Sequence, residues 1–317
     1  MPTISIVTPC FNEEDNVEQC HATIKALFDG PLARFEREHI FADNSSKDRT
    51  VELLREIAAR DPSVRVIVNS RNFGPFRNLW NGMLASTGDA VVPFVAADLQ
   101  DPPDTIIAFA ERWEQGFKVV NGIRAQREEG IVLRSARRIF YTIVNRWSPF
   151  HIPENAGEFQ LLDRVVVEEL RKFDDYYPYL RGMVAYCGFQ TSEVRYTWRR
   201  RERGVTKNTI LNLFDQGLNG IISFTVVPMR IALSFGVLTM VVTFGFAFFY
   251  ALTNILWYRE LAAPGIPTLL VAVFFFAGLQ LFFMGLLGEY VLAIHSQVRR
   301  KPVVIEQERI NFPGRAR

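Results

Sequence analysis

The chain is poor in the residues that make metal cages and covalent staples. It has three cysteines, Cys10, Cys20 and Cys187, in 317 residues. No CxxC spacing occurs, which excludes a zinc ribbon and a disulfide framework. The four histidines, His21, His39, His151 and His295, show no pairing that suggests catalysis. No GxGxxG follows the first apolar run and no GxxxxGK[ST] occurs, which disfavours a dinucleotide Rossmann domain and a P-loop. A surplus of one charge is also missing. The net charge of +2 argues against nucleic acid as a partner. Internal repeats and low-complexity tracts are absent, and Met1 leads directly into a strand-like run, so no signal peptide is expected.

What is present begins with alternating strands and helices over residues 3 to 122. Ile4-Ser5-Ile6-Val7 reads as a buried strand. Val17, Cys20, Ile24, Leu27 and Phe28 then share one helical face that Gly30 stops. His39 to Ala42 and Val64 to Val68 read as further strands. Ser46 is placed to cap a helix carrying Val51, Leu54, Ile57 and Ala58, and a helix is expected over Pro75 to Ala85. The apolar run Ala90 to Ala97 reads as a buried strand ending in Asp98, Gln100 and Asp101, with Pro102 and Pro103 barring its continuation. Strands joined by helices imply an α/β fold with a mostly parallel, Rossmann-like sheet, whose ligands bind beyond the carboxyl ends of the strands. Asn12, Glu13, Asp43, Asn69 to Asn72, and Asp98 to Asp101 all fall at those ends. A carboxylate there suits Mg²⁺ or Mn²⁺, hard cations that keep a ligand's phosphates in their coordination shell.

The C-terminal part has a different character. Twenty-eight residues without a charge separate Arg230 from Arg259, and another 28 separate Glu260 from Glu289. Roughly 20 residues suffice to cross a bilayer core, so two transmembrane helices are expected. Arg195, Arg199, Arg200, Arg201, Arg203, Lys207 and Arg230 precede the first run, and Arg299, Arg300 and Lys301 follow the second. The connecting loop has only Arg259. Both flanks are therefore expected in the cytoplasm. Tyr250, Trp257, Tyr258 and Tyr290 are candidate interface anchors. Between the two parts, Arg124, Arg127, Arg134, Arg137, Arg138 and Arg146 interleave with Ile139, Phe140, Ile143, Val144 and Trp147. This pattern suits an amphipathic helix on anionic lipid, or one packed on the sheet. A second such stretch runs from Ile210 to Phe224. The expected organisation is a cytosolic catalytic domain over 1–225, a two-span hairpin over 226–298 and a cytosolic tail over 299–317, loosely held from about Ile305.

Several stretches in this order carry a family resemblance. They are Pro9-Cys10-Phe11-Asn12-Glu13-Glu14, Phe41 to Asp48, Ser70-Arg71-Asn72-Phe73-Gly74, Asp98 to Pro103, Asn155 to Phe159, Arg181-Gly182 and Gly204-Val205-Thr206-Lys207. Over nearly its whole length the chain resembles the polyisoprenyl-phosphate glycosyltransferases of glycosyltransferase family 2, with a GT-A fold. That group includes dolichyl-phosphate mannose synthase and bactoprenol glucosyl transferases. The resemblance implies that Pro9, Asn12, Glu13 and Arg71 line the nucleotide-sugar pocket and that Asp43 reaches the base. It places the metal on Asp98 and Gln100, and the acceptor phosphate on Arg124, Arg138 and Thr142. Glu158 stands near the sugar, and Lys207 closes over the diphosphate. Four positions depart from the family pattern. Ala96 removes a carboxylate before the metal loop, Asn44 and Ser45 replace acids after the second strand, and Asn208 replaces an aromatic.

The reaction so implied moves one sugar, glucose from UDP-glucose, to undecaprenyl or another polyisoprenyl phosphate at the cytosolic face of a bacterial inner membrane. Other sugars (GlcNAc, mannose, aminoarabinose), another lipid acceptor, or a non-catalytic nucleotide-sugar-binding scaffold remain alternatives. Two spans are too few for a solute path in a monomer, so a separate flippase is an expected partner. Gly236, Gly278, Gly285 and Gly288 would let helices approach closely in a homo-oligomer.

Overall fold

The structure, a computed structural model, describes residues 1–124, 156–175, 178–198, 234–239, 241–242, 245, 266–298 and 301–312. The chain divides into two units, Met1–Phe214 with Arg300–Arg317, and Asp215–Arg299.

In the first unit the alternation read from the sequence is realised. β1 is Thr3–Cys10, α1 Val17–Asp29, β2 Glu36–Asp43, α2 Thr50–Arg60, β3 Val64–Asn69 and α3 Pro75–Ala85. β4 is Ala90–Val92, α4 Thr105–Glu114, β5 Val119–Arg124, β6 Ala156–Asp163, α5 Arg164–Leu170, α6 Leu180–Cys187, β7 Thr191–Tyr196 and β8 Glu306–Ile310. The buried face of α1 is the predicted stripe of Val17, Cys20, Ile24, Leu27 and Phe28. These side chains pack with Ile4, Ile6 and Phe41 of the sheet and Leu54 and Ile57 of α2 in one apolar core. α3 crosses the sheet closely at Gly82, where an added Cβ would sit 2.7 Å from the Val7 side chain.

The eight strands form one sheet in the order β7-β5-β6-β4-β1-β2-β3-β8. β1 pairs in parallel with β2 and β4, β2 with β3, and β5 with β7. β6 runs antiparallel to β4 and β5, and β8 antiparallel to β3. The α/β reading therefore holds with a mixed sheet. β1 has β2 on one side and β4 on the other, so the strand order reverses there. Such a reversal opens a crevice at the carboxyl edge.

Three expectations are corrected. The strand read as Ala90 to Ala97 ends at Val92, because Pro93 has no N–H to continue the ladder. The segment beyond still follows β1, with the Val95 N–H donating to the Val7 carbonyl at 2.9 Å. Arg124, read as part of an amphipathic helix, is the last residue of β5; the rest of that stretch, 125–155, lies outside the described residues. The described part of the tail, up to residue 312, is not loose. β8 zips along the β3 edge, the Arg55 guanidinium reaches Glu308 at 2.6 Å, and the Asn311 amide donates to the carbonyls of Ala58 and Val64. Its alternating charged side chains suit an outermost strand with one face in water.

In the second unit, α7 runs from Ile266 to Val298, 33 residues whose last turn carries His295. Leu269, Val273, Leu281, Val291 and Ile294 are exposed on it. Residues 234–239 are helical too. Among the residues whose side chains are described, no helix is long and apolar enough to cross a membrane. The first predicted span and the Ile210–Phe224 stretch fall mostly outside the described residues.

Candidate active site

The loops after β1 and β2 are built as one piece. Asn12 turns back at φ 55°, its N–H donates to the Ser46 hydroxyl at 2.8 Å, and its side-chain carbonyl accepts from the Lys47 N–H at 2.8 Å. The Glu13 N–H donates to the Thr50 hydroxyl at 2.8 Å, and the Glu13 carboxylate accepts from the Asn16 amide. Pro9 pairs with Ala42 in the β1–β2 register, beside these loops. Asp43 is wholly buried and accepts from both the N–H and the hydroxyl of Ser46. Burial pushes its carboxyl pKa up, against the Ser46 bonds that pull it down. Ser46 was expected to cap α2. Its hydroxyl is instead spent on Asp43 and Asn12, and α2 starts four residues later, with the Asp48 carboxylate accepting from the Thr50 N–H at 3.0 Å.

Beyond β3, four amides knit the loop that carries Arg71. Asn69 donates to Asn44 and Asn78, Asn78 donates to the Ala42 carbonyl, and Asn44 donates to Asn72. Asn44 also accepts from the Phe73 N–H, and Asn72 from the Gly74 N–H. The Arg71 guanidinium lies 4.0 Å over the Phe73 ring. Arg71 is thereby held at the same sheet edge as Asp43.

On the other side of β1, the Asp98 loop makes a tight turn. The Leu99 N–H donates to the Ala96 carbonyl, Leu99 itself has φ 56°, and the Gln100 N–H donates to the Asp98 carboxylate at 3.3 Å. Asp98 lies near enough to the buried Cys20 to help raise that thiol's pKa, after burial itself, to about 12. Asp101 points inward to Arg124 and Tyr196. Burial works against the Arg124 charge, but Asp101, Tyr196 and Glu158 outweigh it and raise its pKa. Glu158 on β6 takes an Nε–H of Arg181 on α6 at 2.7 Å. A Cβ added at the neighbouring Gly157 would lie 4.0 Å from the Arg124 guanidinium.

Among the described residues no three His, Cys, Asp or Glu side chains converge as a metal cage. The donor set nevertheless fits a hard cation shared with a ligand. Asp98 and Gln100 supply oxygens at a loop tip, and Mg²⁺ is commonly held by one or two carboxylates plus substrate phosphates.

The structure thus gathers Pro9, Asn12, Glu13, Asp43 and Arg71 on the β1–β3 side of the edge, and Asp98, Gln100, Arg124 and Glu158 on the β4–β6 side. Arg138, Thr142 and Lys207 lie outside the described residues. Sequence reasoning gave no role to Tyr196, Arg181, Asn69 or Asn78. Arg181 stood in a quoted motif and Asn69 in a polar strand end. Tyr196 carried no local signal, since its partner Asp101 is 95 residues away.

Acidic and amide-rich loops therefore flank the strand-order reversal, the place where open α/β sheets bind their ligands. The model of glycosyl transferase family 2 matches residues 5–171, more than half of the chain, and the chain belongs to that family. It is a glycosyltransferase. A prophage bactoprenol glucosyl transferase homolog of Escherichia coli is 33% identical over 303 residues, covering 95% of this chain and 97% of that one. The bactoprenol glucosyl transferase of Shigella phage SfII is 32% identical, with 95% and 96% covered. An uncharacterized glycosyltransferase of Bacillus subtilis is 31% identical, with 96% and 93% covered. Among solved structures, glucosyl-3-phosphoglycerate synthase of Mycobacterium tuberculosis, in complex with Mn²⁺, UDP and glucosyl-3-phosphoglycerate, is 23% identical. It covers 70% of this chain and 78% of that one at a TM-score of 0.47.

Proposed function

We propose that this glycosyltransferase moves glucose from UDP-glucose to the phosphate of a polyprenol such as undecaprenyl phosphate. The observation that carries the reading is the carboxyl-edge site, with Asp98 and Glu158 on one side of β1 and the Asn12–Asp43–Arg71 loops on the other. Relatives named bactoprenol glucosyl transferase, matched over 95% of the chain, support the choice of sugar and lipid.

The chemistry follows from the charges. An oxygen of the acceptor phosphate attacks the anomeric carbon, the bond from that carbon to the diphosphate oxygen breaks, and UDP leaves with the electron pair. A phosphate is already ionised near neutral pH, so no strong general base is needed. Asp98 and Gln100 would hold Mg²⁺ or Mn²⁺, which when bound neutralises charge growing on the leaving diphosphate. Asn12, Glu13 and Asp43 shape the loops that would seat the nucleoside, with Arg71 beside them. Glu158, oriented by Arg181, faces the sugar. By the family resemblance, Lys207 serves the diphosphate, and Arg124, Arg138 and Thr142 the acceptor phosphate.

The uncharged runs and their basic flanks support two spans with both ends in the cytoplasm of a bacterial inner membrane. A separate flippase would then carry the product outward, and the small residues of the spans would permit homo-oligomers.

The test uses purified protein, undecaprenyl phosphate and radiolabelled UDP-glucose, UDP-GlcNAc or GDP-mannose, with Mn²⁺, Mg²⁺ or EDTA. Label entering organic solvent only from UDP-glucose, and only without EDTA, is expected. Asp98→Ala should cut that transfer by about 100-fold or more. Transfer from another donor alone would replace the sugar assignment, and no transfer from any donor would remove the reaction.

A further inference from the structure

Asp101, Arg124 and Tyr196 form a closed ring of hydrogen bonds across three elements. The Tyr196 phenol on β7 donates to Asp101 Oδ1 at 2.6 Å. Arg124 Nη2 on β5 donates to Oδ1 and Oδ2 of Asp101 at 3.2 and 3.4 Å, and Arg124 Nε donates to the Tyr196 oxygen at 3.1 Å. Asp101 is 1% exposed and Tyr196 6%. Every polar atom of the ring that leaves water is answered by another, which is what an interior polar network requires.

The ring is also rigidly backed. The Tyr196 ring meets Phe159 edge-on at 5.3 Å, and Phe159 lies 4.9 Å from Phe109. Gly122 leaves the space: a Cβ there would sit 2.9 Å from the Tyr196 ring and 2.5 Å from the Phe159 carbonyl. The phenol has little freedom to turn elsewhere.

Three residues before Asp101 stands Asp98. Between them Leu99 has φ 56°, a left-handed conformation unfavourable for a side chain of that size. Such a backbone persists only where its surroundings hold it. On the upstream side the hold is local, the Leu99–Ala96 and Gln100–Asp98 bonds. On the downstream side it is Asp101, clamped by Arg124 and Tyr196.

We propose that Asp101, Arg124 and Tyr196 form a latch on the Asp98 loop, and that Tyr196 is a positioning residue for glycosyl transfer. It touches no reacting atom. It fixes Asp101, and Asp101 fixes the turn that presents Asp98 to a divalent cation and its diphosphate. This rests on the reaction proposed above.

The experiment compares wild type with Tyr196→Phe and Asp101→Asn in two assays. One is glucose transfer as a function of Mn²⁺ concentration. The other is binding of Mn²⁺ in the presence of UDP, followed by loss of the free-ion electron paramagnetic resonance signal. For both variants, half-saturating Mn²⁺ should rise about 10-fold in each assay, as for loss of an outer-shell partner. Turnover at saturating Mn²⁺ should stay within about 3-fold of wild type. Unchanged Mn²⁺ dependence overturns the latch. So does a rise in KM for the polyprenyl phosphate alone, which would mean that Asp101 and Tyr196 serve Arg124 at the acceptor phosphate and not the Asp98 turn. Loss of the thermal transition in both variants overturns it too, in favour of an ion pair needed only for folding. If wild type binds Mn²⁺ with UDP but transfers nothing, the reaction falls, while a 10-fold weaker binding by Tyr196→Phe keeps the latch. If wild type neither binds nor transfers, both fall.

Discussion

His39 shows how a single side chain can set acid sensitivity. It is fully buried in β2, with Nε2 3.0 Å from the Thr8 hydroxyl and its ring 4.1 Å from Phe41. Burial, and then the neighbouring Arg37 charge, hold its pKa well below the usual imidazole value. Below about pH 6.5 the unfolded chain takes up a proton that the folded chain refuses, so this residue's stabilisation is present above that pH and lost as pH falls. Melting temperature should therefore decline from pH 7 towards pH 5, and His39→Gln should flatten that decline; an identical slope in the variant would remove His39 as the cause. At the proposed sugar position, Arg181→Lys keeps the charge but loses the guanidinium geometry on Glu158, and should lower turnover about 10-fold with donor KM little changed. Glu158 could be singled out in the sequence because it sits in a run that carries the family resemblance. Its partner's role was not, because a sequence does not show which arginine a folded carboxylate will meet. Ser46 misled for a related reason. A hydroxyl near a helix start is a good cap, but here the buried Asp43 carboxylate outcompetes the helix for it.

Helices were the most legible elements. A 3.6-residue period survives any tertiary arrangement: α1 buries the stripe the sequence marks, α2 buries its stripe except the half-buried Val51, and α3 spans the expected Pro75–Ala85. Strands depend on partners, and four were misjudged: β4 was read too long, and β6, β7 and β8 were not read as strands. Pro93 cut β4 short inside an apolar run, and β8 was hidden by its charge, Glu-Gln-Glu-Arg-Ile. That charge suits its place, because an outermost strand needs water-compatible side chains more than apolar ones. β8 also donates structure to the donor side of the site. The Ser70 N–H reaches the Ile305 carbonyl at 2.9 Å, and Asn81 of α3 reaches Glu306 at 2.7 Å. Removing residues 306–317 should strip the cover from β3 and loosen the loop holding Arg71. The expected outcome is a lower melting temperature, self-association by light scattering, and a raised KM for the nucleotide sugar. A truncated protein that matches the full chain in all three would show that β8 is dispensable.

At the scale of the molecule, the two units differ in composition, alternating charged and apolar residues giving way to runs without charge. The apolar runs predict that the full chain stays with membranes after washing with alkaline carbonate and leaves only with detergent. Release by carbonate alone would exclude the two spans. Less visible was the discontinuity of the first unit, which takes its last strand from beyond the second. Arg55 and Glu308, joined in the finished protein, are 253 residues apart. At synthesis rates of about 5–20 residues per second, the ribosome needs roughly 10–50 s between them. For that interval the outer edge of β3 is a bare template while the apolar segment is still emerging. A nascent chain of this enzyme should therefore be a client for chaperones until β8 has left the ribosome.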